Sequence, residues 1–445
     1  MLYPYIIPLT LIAFTYALFT TPIRALCTYA LVLFGFSYSW TLSVSTYDFT
    51  VARIVILAVL LNVAFRSSLL YQFRWNKLDT LVLVYYGLKF YALTFNVPFE
   101  QVLEREGGYL LDAVVPYFMA RLIVREMEDL LTFFKTLVYF AIPLAFIALY
   151  HSLTGINLAG DPSTSMRMGM YRAKGVFGDY ISCGLFFAGV IALCLAIRPY
   201  QIFSDWKTGL YCALIFIGVF ATISSAPLFA LIISVSFIFL YRQRQYLPLV
   251  IFCSLIWLLF LEVYSNRHFY EVFTRLSFNS ATSYYRVGLI DEALGGGMTG
   301  HWWTGYGYVG IGPGSDNTNF EWRHLDLVNL YIAILARVGL LGLLPYLLLN
   351  FFWYRRLYQA HRYATAQDQW LIWSIAGLLV GWNIAMMTVS AMAQIETLLM
   401  ILVAISHNLV FIAYARSEAM ETEEIEVSVE TDVPQTYSHS GGLTT

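Results

Sequence analysis

Apolar segments long enough to cross a lipid bilayer recur along almost the entire sequence. They are about 17–25 residues long, and lipid offers no partners for backbone polar groups, so such segments must form helices. Of the 445 residues, 59% are hydrophobic and only 12% are charged. The pattern predicts an all-α protein, a polytopic transmembrane helical bundle, and it excludes a soluble domain or a nucleic-acid-binding protein.

Thirteen apolar segments are candidate spans, and a count of twelve is equally compatible, because only residues 21–24 separate the first two. The first segment has no basic stretch before it, so we expect it to remain as a helix and not to be removed as a signal peptide. The five cysteines lie in apolar runs without metal-ligand or disulfide spacing, which indicates small buried side chains. The predicted spans are near residues 4–20, 25–43, 51–65, 78–96, 108–124, 130–150, 180–197, 208–223, 227–241, 246–263, 326–353, 369–388 and 393–413.

Lysines and arginines collect in alternate loops, and basic residues in short loops stay on the cytoplasmic side. The two long loops, 151–179 and 264–325, fall on the other side. We expect both to be extracytoplasmic and to form the functional site of a membrane domain that covers residues 1–415. Residues 416–445 hold seven acidic residues against one basic residue, so we expect a disordered cytoplasmic tail.

Four charged side chains fall within or close to predicted spans: Lys89, Lys135, Arg337 and Glu396. A charge at membrane depth is costly, so it favours a functional role when it faces protein or water. Structural roles stay open as well. Lys135 can extend its ammonium group to the interface, and Arg337 can pair with Glu396.

The loop over residues 264–325 concentrates polar, aromatic and glycine residues, and long ordered loops are usually functional. Residues 283–294 have helical periodicity and include Tyr285 and Arg286. Glycine-rich turns follow Trp302 and Trp303. Aromatic faces suit the C–H faces of sugar rings, and they equally suit a membrane interface. We therefore expect a helical loop that carries the chemistry.

A second cluster precedes the span at 180–197 and contains Arg172, Lys174 and Gly175. Arginine presents a planar fork of donors that fits two phosphate oxygens, and glycine lets the backbone approach a ligand closely. A basic anchor at the lipid headgroups, followed by a glycine turn, explains the same residues. The cluster alone does not separate the two interpretations.

A third cluster lies where the chain re-enters the membrane, at His324, Asp326 and Asn329. On a helix, Asp326 and Asn329 share a face, so polar groups converge at the mouth of the span. Asp326 can instead cap the helix, and His324 can act as a base near neutral pH. Further along, Gly339 and Gly342 permit close helix packing.

Taken in the order of the chain, the Arg172 cluster, the loop with Tyr285 and Arg286, and the cluster at residues 324–329 resemble the O-antigen ligase and polymerase superfamily of integral membrane glycosyltransferases. The resemblance covers roughly residues 165–345. The resemblance implies an enzyme of the bacterial cytoplasmic membrane that takes a glycan from an undecaprenyl-diphosphate carrier at the outer face. It implies inversion at the anomeric carbon, without a metal or another cofactor. It also implies that Arg172 and Arg286 bind the diphosphate, with support from Lys174, Tyr285 and Asn329.

The sequence departs from the family's pattern at two places. Ligases have a histidine directly before the matching asparagine, and here Val328 precedes Asn329. His324 or Asp326 must then supply the base that deprotonates the acceptor hydroxyl. Residues 224–226 read Ser-Ser-Ala where many relatives have Ser-Arg-Gly, which removes one expected positive charge.

The polymerase role does not require the ligase histidine, so the leading expectation is a polysaccharide polymerase for exopolysaccharide, capsule or O-antigen. Its expected partners are the lipid-linked donor, a glycan or lipid-linked acceptor, membrane lipid and a chain-length regulator. An O-antigen ligase that uses lipid A–core as acceptor is the alternative enzyme. A lipid-linked oligosaccharide flippase is the alternative of another class, and it predicts charges along the helical bundle rather than in one outer loop.

Cysteines introduced at Ser165 and Asn317 are predicted to react with a membrane-impermeant thiol reagent added to intact cells, because both positions lie in outer loops. A cysteine at Gln359, beside a basic loop, is predicted to stay unlabelled until the membrane is permeabilised. Labelling at Gln359 alone would invert the orientation.

Overall fold

The computed structural model describes residues 3–44, 47–71, 73–264, 268, 271, 287–288, 290–291, 293–308, 327, 329–389 and 393–431. Most of these residues lie in helices, and two short hairpins are the only strands within these ranges. The predicted fold class, an all-α polytopic helical bundle, is confirmed.

The helices follow the order of the predicted spans. Their bounds are α1 (Tyr3–Phe19), α2 (Pro22–Gly35), α3 (Val51–Ala64), α4 (Ser67–Tyr71), α5 (Lys77–Leu93), α6 (Phe99–Tyr109), α7 (Val115–Ile123), α8 (Met127–Thr154), α9 (Tyr180–Ala196), α10 (Asp205–Ala221), α11 (Ser225–Phe239), α12 (Leu247–Tyr264), α13 (Leu330–Tyr363), α14 (Ala366–Met386) and α15 (Ala393–Thr431). The antiparallel hairpins pair β1 (Thr41–Val44) with β2 (Tyr47–Thr50), and β3 (Met166–Arg167) with β4 (Met170–Tyr171). Shorter turns are π-helical at Leu110–Val114 and Ala293–Gly297, and 3₁₀-helical at Arg198–Tyr200 and Leu240–Tyr246.

Several helices are long and apolar enough to cross a membrane. Four shorter apolar helices of 10–17 residues accompany them in the described part of the chain. Within the described ranges, five stretches are long and apolar enough to cross a membrane: Met127–Thr154, Ser225–Tyr264, Leu330–Tyr363, Ala366–Met386 and Gln394–Glu418. This composition identifies a membrane protein.

The helices pack in two groups around a shared apolar core. One group joins α5, α7, α13 and α15, with α2 and α3 against it, and the other joins α8, α9, α10, α11 and α14. Contacts of α2 with α8 and of α9 with α15 connect the groups. α12 buries none of its residues, so its apolar side chains face outward, as lipid-exposed side chains do.

The structure departs from the predicted elements at three places. α2 ends at Gly35 and the hairpin β1–β2 follows, where a span to residue 43 was predicted, because serine, threonine and aromatic residues there favour strands. α6 (Phe99–Tyr109) lies mostly between the predicted spans 78–96 and 108–124, where no helix was predicted. α15 continues to Thr431, where no fold was expected, because extending a formed helix through glutamates costs little. Residues 432–445 lie outside the described ranges.

A buried ion pair ties α5 to α7 at the end of the bundle that carries the basic loops. Asp79 is fully buried and Arg121 is 6% exposed, and Arg121 Nε donates to Asp79 Oδ1 at 3.0 Å. The Tyr117 hydroxyl donates to the same oxygen at 2.6 Å, and Arg121 also donates to Asn408 on α15. An arginine near the end of the predicted span 108–124 therefore joins three helices in the interior.

We predict that Asp79→Asn destabilises the protein by about 3–5 kcal/mol, because the Arg121 charge stays buried without its partner. Asp205→Asn is the matched control. Asp205 pairs with Arg198 at 2.8 Å but is 77% exposed, so the expected loss is below about 1 kcal/mol. Thermal unfolding in detergent micelles measures both, and equal losses would contradict the interior role of Asp79.

Candidate functional site

A cavity of about 660 Å³ opens at the end of the bundle opposite the Asp79–Arg121 pair. Side chains from α2, α3, α5, α6, α13 and α15 form its wall, together with Tyr308. Charges inside an apolar bundle are costly unless they are paired or bind a polar ligand. Four bases and four acids lie in this wall: Arg53, Lys89, Arg105, Arg337, Glu104, Glu106, Asp112 and Glu396.

Two of the bases form ion pairs. Lys89 Nζ lies 2.9 Å from Glu106 Oε2, and the Tyr308 hydroxyl donates to the other Glu106 oxygen at 3.1 Å. Burial, followed by the negative charge of Glu106, raises the pKa of the Tyr308 hydroxyl, so it stays protonated and donates. Arg53 donates to both carboxylate oxygens of Asp112, at 2.9 and 2.6 Å. Within each pair, the two opposite charges compensate each other.

Asp112 lies in the π-helical turn Leu110–Val114, and such turns occur frequently at functional sites. Its partner Arg53 also donates to the Tyr38 hydroxyl at 2.8 Å. A Cβ atom on Gly108 would lie 2.5 Å from the Arg53 guanidinium, so glycine makes room for this side chain. The irregular turn therefore brings a charged cluster to the rim of the cavity.

Arg337 and Glu396 differ from these pairs, because neither has an ion-pair partner in the described part of the chain. Glu396 accepts a hydrogen bond from the Tyr86 hydroxyl at 2.8 Å. The tie between Arg337 and Glu396 that the sequence allowed does not form. Among the described residues, a cation and a carboxylate that lack ion-pair partners therefore line the same cavity.

Arg337 is held by a break in α13. Gly339, two residues later, has φ 63° and ψ −159°, a conformation essentially restricted to glycine. A break at membrane depth is tolerated where protein replaces the lost backbone partners. The loop Trp302–Gly307 replaces them through four hydrogen bonds: Tyr306 N to Ala336 O at 2.7 Å, Gly307 N to Arg337 O at 3.0 Å, Leu340 N to Trp302 O at 2.7 Å, and Leu341 N to Trp303 O at 3.2 Å.

The glycines of both segments permit this contact. A Cβ atom on Gly305 would lie 2.5 Å from the carbonyl carbon of Arg337, and one on Gly339 would overlap the backbone of Trp303. Close helix packing, the role expected for Gly339, is thus replaced by close approach of a loop. The same loop carries Tyr308 into the cavity wall.

Aromatic rings surround the cavity cations. The Lys89 ammonium lies 3.8 Å from the centre of the Tyr109 ring, and the Arg105 guanidinium lies 4.5 Å from that of Tyr308. Aromatic faces attract cations and pack well against the C–H faces of sugars. Cations, carboxylates and tyrosines together suit a sugar that carries an anionic group.

Three of the residues predicted from the sequence are described, and none of them lines the cavity: Arg172, Lys174 and Asn329. Arg172 is 8% exposed and its guanidinium lies 3.1 Å above the Tyr180 ring, and burial lowers its pKa. Its loop packs against α2, whose last turn does line the cavity, with the rings of Phe34 and Phe177 6.0 Å apart.

Asn329 is the N-cap of α13. Its side-chain oxygen accepts from the backbone N–H groups of Tyr331 and Ile332, at 3.0 and 3.2 Å. The helix therefore begins at Leu330 and not at residue 326, and asparagine takes the capping role that was considered for Asp326. Four predicted site residues lie outside the described residues, and their roles stay predictions: Tyr285, Arg286, His324 and Asp326.

Arg53, Glu106, Asp112 and Tyr308 line the cavity but were not predicted as site residues from the sequence. A usable signal existed, because Arg53 and Asp112 are opposite charges near the same predicted ends of two apolar segments. Side chains at matching depths on neighbouring helices can pair, but the sequence does not state which helices are neighbours. The structure shows that the segments carrying Arg53 and Asp112 are neighbours.

No protein-family model matches this sequence, and no curated protein matches it. The resemblance to O-antigen ligases and polymerases therefore rests on the motifs alone. The fold and the cavity define the class of the protein as a polytopic membrane protein with a charged, tyrosine-lined cavity inside its helical bundle.

We predict that Gly339→Ala costs about 1–3 kcal/mol of stability and detaches the loop from α13, because alanine is strained at this conformation and its Cβ overlaps Trp303. Gly87→Ala is the control, since this glycine lies inside α5 with free space around it. Alanine at Gly87 should stabilise the helix slightly. Thermal unfolding and protease cleavage of the loop measure the effect, and indistinguishable variants would contradict it.

Proposed function

We propose that this protein is a polysaccharide polymerase that transfers a glycan from an undecaprenyl-diphosphate-linked donor to a glycan acceptor. The observation that carries the proposal is the unpaired Arg337 beside the other charges and tyrosines of the cavity. A cation at membrane depth is costly, and an anionic ligand offsets that cost. A diphosphate that joins a sugar to a membrane lipid is such a ligand, and the tyrosines fit the sugar.

In the proposed reaction, the acceptor hydroxyl oxygen bonds to the anomeric carbon of the donor while the bond from that carbon to the diphosphate oxygen breaks. The electron pair leaves with the diphosphate, and a base takes the hydroxyl proton. Attack from the face opposite the leaving group inverts the configuration. Arg337 and Lys89 stabilise the negative charge that develops on the diphosphate.

The break in α13 supports this role for Arg337. Backbone hydrogen bonds from the loop hold the residues on both sides of the break, and Gly307 N bonds to Arg337 O at 3.0 Å. Groups fixed before the reaction need not reorganise as charge develops, which makes their stabilisation of the transition state effective.

The cavity lies away from the basic loops, so the proposed orientation places it at the outer face of the bacterial cytoplasmic membrane. An O-antigen ligase would use the same donor and leaving group. The acceptor of the ligase is lipid A–core, whereas the acceptor of the polymerase is a growing glycan. An assay with both acceptors distinguishes the two enzymes.

A lipid-linked oligosaccharide flippase is the second candidate function. From the sequence, we expected the charges mainly in one outer loop. Instead, eight charged side chains lie around a cavity that is formed largely by the bundle helices. Charged groups inside a bundle frequently mark substrate pathways. A flippase moves the donor across a bilayer and leaves its glycan length unchanged, whereas a polymerase lengthens it.

Arg337→Gln is predicted to slow glycan transfer by about 10- to 100-fold, because it removes a charge-assisted contact to the leaving diphosphate. Arg337→Lys should restore little, since an ammonium group lacks the planar fork. The measurement is elongation of a lipid-linked glycan by the purified protein in nanodiscs. Arg337 has no ion-pair partner among the described residues, so the substitution leaves no opposite charge unpaired there.

Arg198→Ala is the control, because Arg198 pairs with an exposed acid at the opposite end of the bundle. Its transfer rate should match the wild type. Arg172→Ala and Arg286→Ala test whether the diphosphate site extends beyond the cavity, as the family resemblance implies. Wild-type rates for Arg337→Gln would contradict the proposed leaving-group site, and donor translocation without elongation would favour the flippase.

A further inference from the structure

Glu396 is an acid inside the cavity that forms no ion pair with the described residues. It lies in the first turn of α15 and lines the cavity, and the described residues provide it with no cation within ion-pair distance. A carboxylate at this depth is costly, and such residues are functional by default. Glu396 therefore needs an explanation that packing does not give.

Its environment fixes the carboxylate and leaves one oxygen open. The Tyr86 hydroxyl donates to Oε1 at 2.8 Å, and Tyr86 itself is only 4% exposed, so this contact is rigid. Oε2 makes no hydrogen bond with the described residues, and the side chain is only partly buried. The open oxygen is therefore accessible to a ligand in the cavity.

The other acids of the cavity are less suited to accept a proton. Glu106 and Asp112 have both of their oxygens engaged, by Lys89 with Tyr308 and by Arg53 respectively. A paired cation holds a carboxylate in its charged form and blocks access to it. Glu104 is exposed at the rim. Glu396 alone among these four acids combines a place inside the cavity with a free oxygen.

We propose that Glu396 is the general base of the glycan transfer, an inference that rests on the proposed function. The acceptor O–H donates to Glu396 Oε2, and the proton moves to this oxygen as the acceptor oxygen bonds to the anomeric carbon. The carbon–diphosphate bond breaks with its electron pair on the diphosphate. α13 and α15 pack together, so Arg337 and Glu396 reach one cavity from adjacent helices, one for the leaving group and one for the nucleophile.

This assignment gives the reaction a base inside the cavity. His324 and Asp326, the candidates from the sequence, lie outside the described residues, and α13 begins only at Leu330. The roles of His324 and Asp326 therefore stay predictions. Glu396, in contrast, is described and lines the cavity.

Glu396→Gln tests the proposal in nanodiscs with a purified lipid-linked glycan. The amide keeps the shape and the contact with Tyr86 but does not accept the proton. We expect transfer to fall by about 10²- to 10⁴-fold, while the affinity for the donor, measured by its protection against thermal unfolding, changes less than about threefold. Glu100→Gln, on the exposed face of α6 and outside the cavity wall, should retain the wild-type rate.

Glu396→Ala provides a second readout that a structural role would not move. Removing the side chain leaves space in the cavity, and added formate, a small carboxylate, should restore part of the transfer rate in this variant, whereas it should leave the rate of Glu100→Gln unchanged. Asp326→Asn and His324→Ala, measured in parallel, should each keep most of the activity.

The outcomes separate the inference from the proposed function. Wild-type transfer by Glu396→Gln, or a loss matched by equal loss of donor affinity, overturns the assignment of the base and leaves glycan transfer standing. Loss of transfer in Asp326→Asn with retention in Glu396→Gln overturns it in favour of the sequence-based candidate. No transfer by the wild type overturns the proposed function itself.

Discussion

The hydrogen bonds between the loop Trp302–Gly307 and the broken helix α13 hold the candidate site together. In a membrane, an interrupted helix is acceptable only if protein satisfies the backbone groups that the interruption exposes. Four such bonds span the break at Gly339. These bonds also fix the backbone at Arg337 on α13, and they place the loop so that Tyr308 lies in the cavity wall. A constraint on backbone chemistry thereby determines which side chains meet in the cavity.

The charged residues of the cavity differ in whether they have an ion-pair partner. Arg53 with Asp112 and Lys89 with Glu106 compensate each other within the bundle. Arg337 and Glu396 have no ion-pair partner among the described residues, and they lie on adjacent helices. Glu104 and Arg105 are also without ion pairs there, but Glu104 is exposed and Arg105 lies against the Tyr308 ring. Arg337 and Glu396 therefore have the stronger reason to contact a ligand, which is an anion for Arg337 and a hydroxyl proton for Glu396.

The helices were predictable from the sequence because apolar length is a local property, and α5, α9 and α14 begin within a few residues of the expected positions. The importance of Lys89, Arg337 and Glu396 was visible as charge in apolar segments. Their arrangement was not, since a pairing such as Lys89 with Glu106 depends on which helices are neighbours. The role of Gly339 was also hidden, because a glycine that breaks a helix and one that packs closely look alike in sequence. Arg172 carried a clear motif, yet it lies outside the cavity wall.

The break at Gly339 also affects how the protein enters the membrane during synthesis. Residues 330–338 rise only about 14 Å at 1.5 Å per residue, short of the roughly 30 Å hydrocarbon core. The part of α13 after the break, to Tyr363, is long enough to cross alone. Residues 302–307 precede α13 in the chain, so the groups that bond to the break are synthesised before the helix. The longer part of α13 can therefore cross without the loop, whereas the shorter part depends on the backbone groups that the loop supplies.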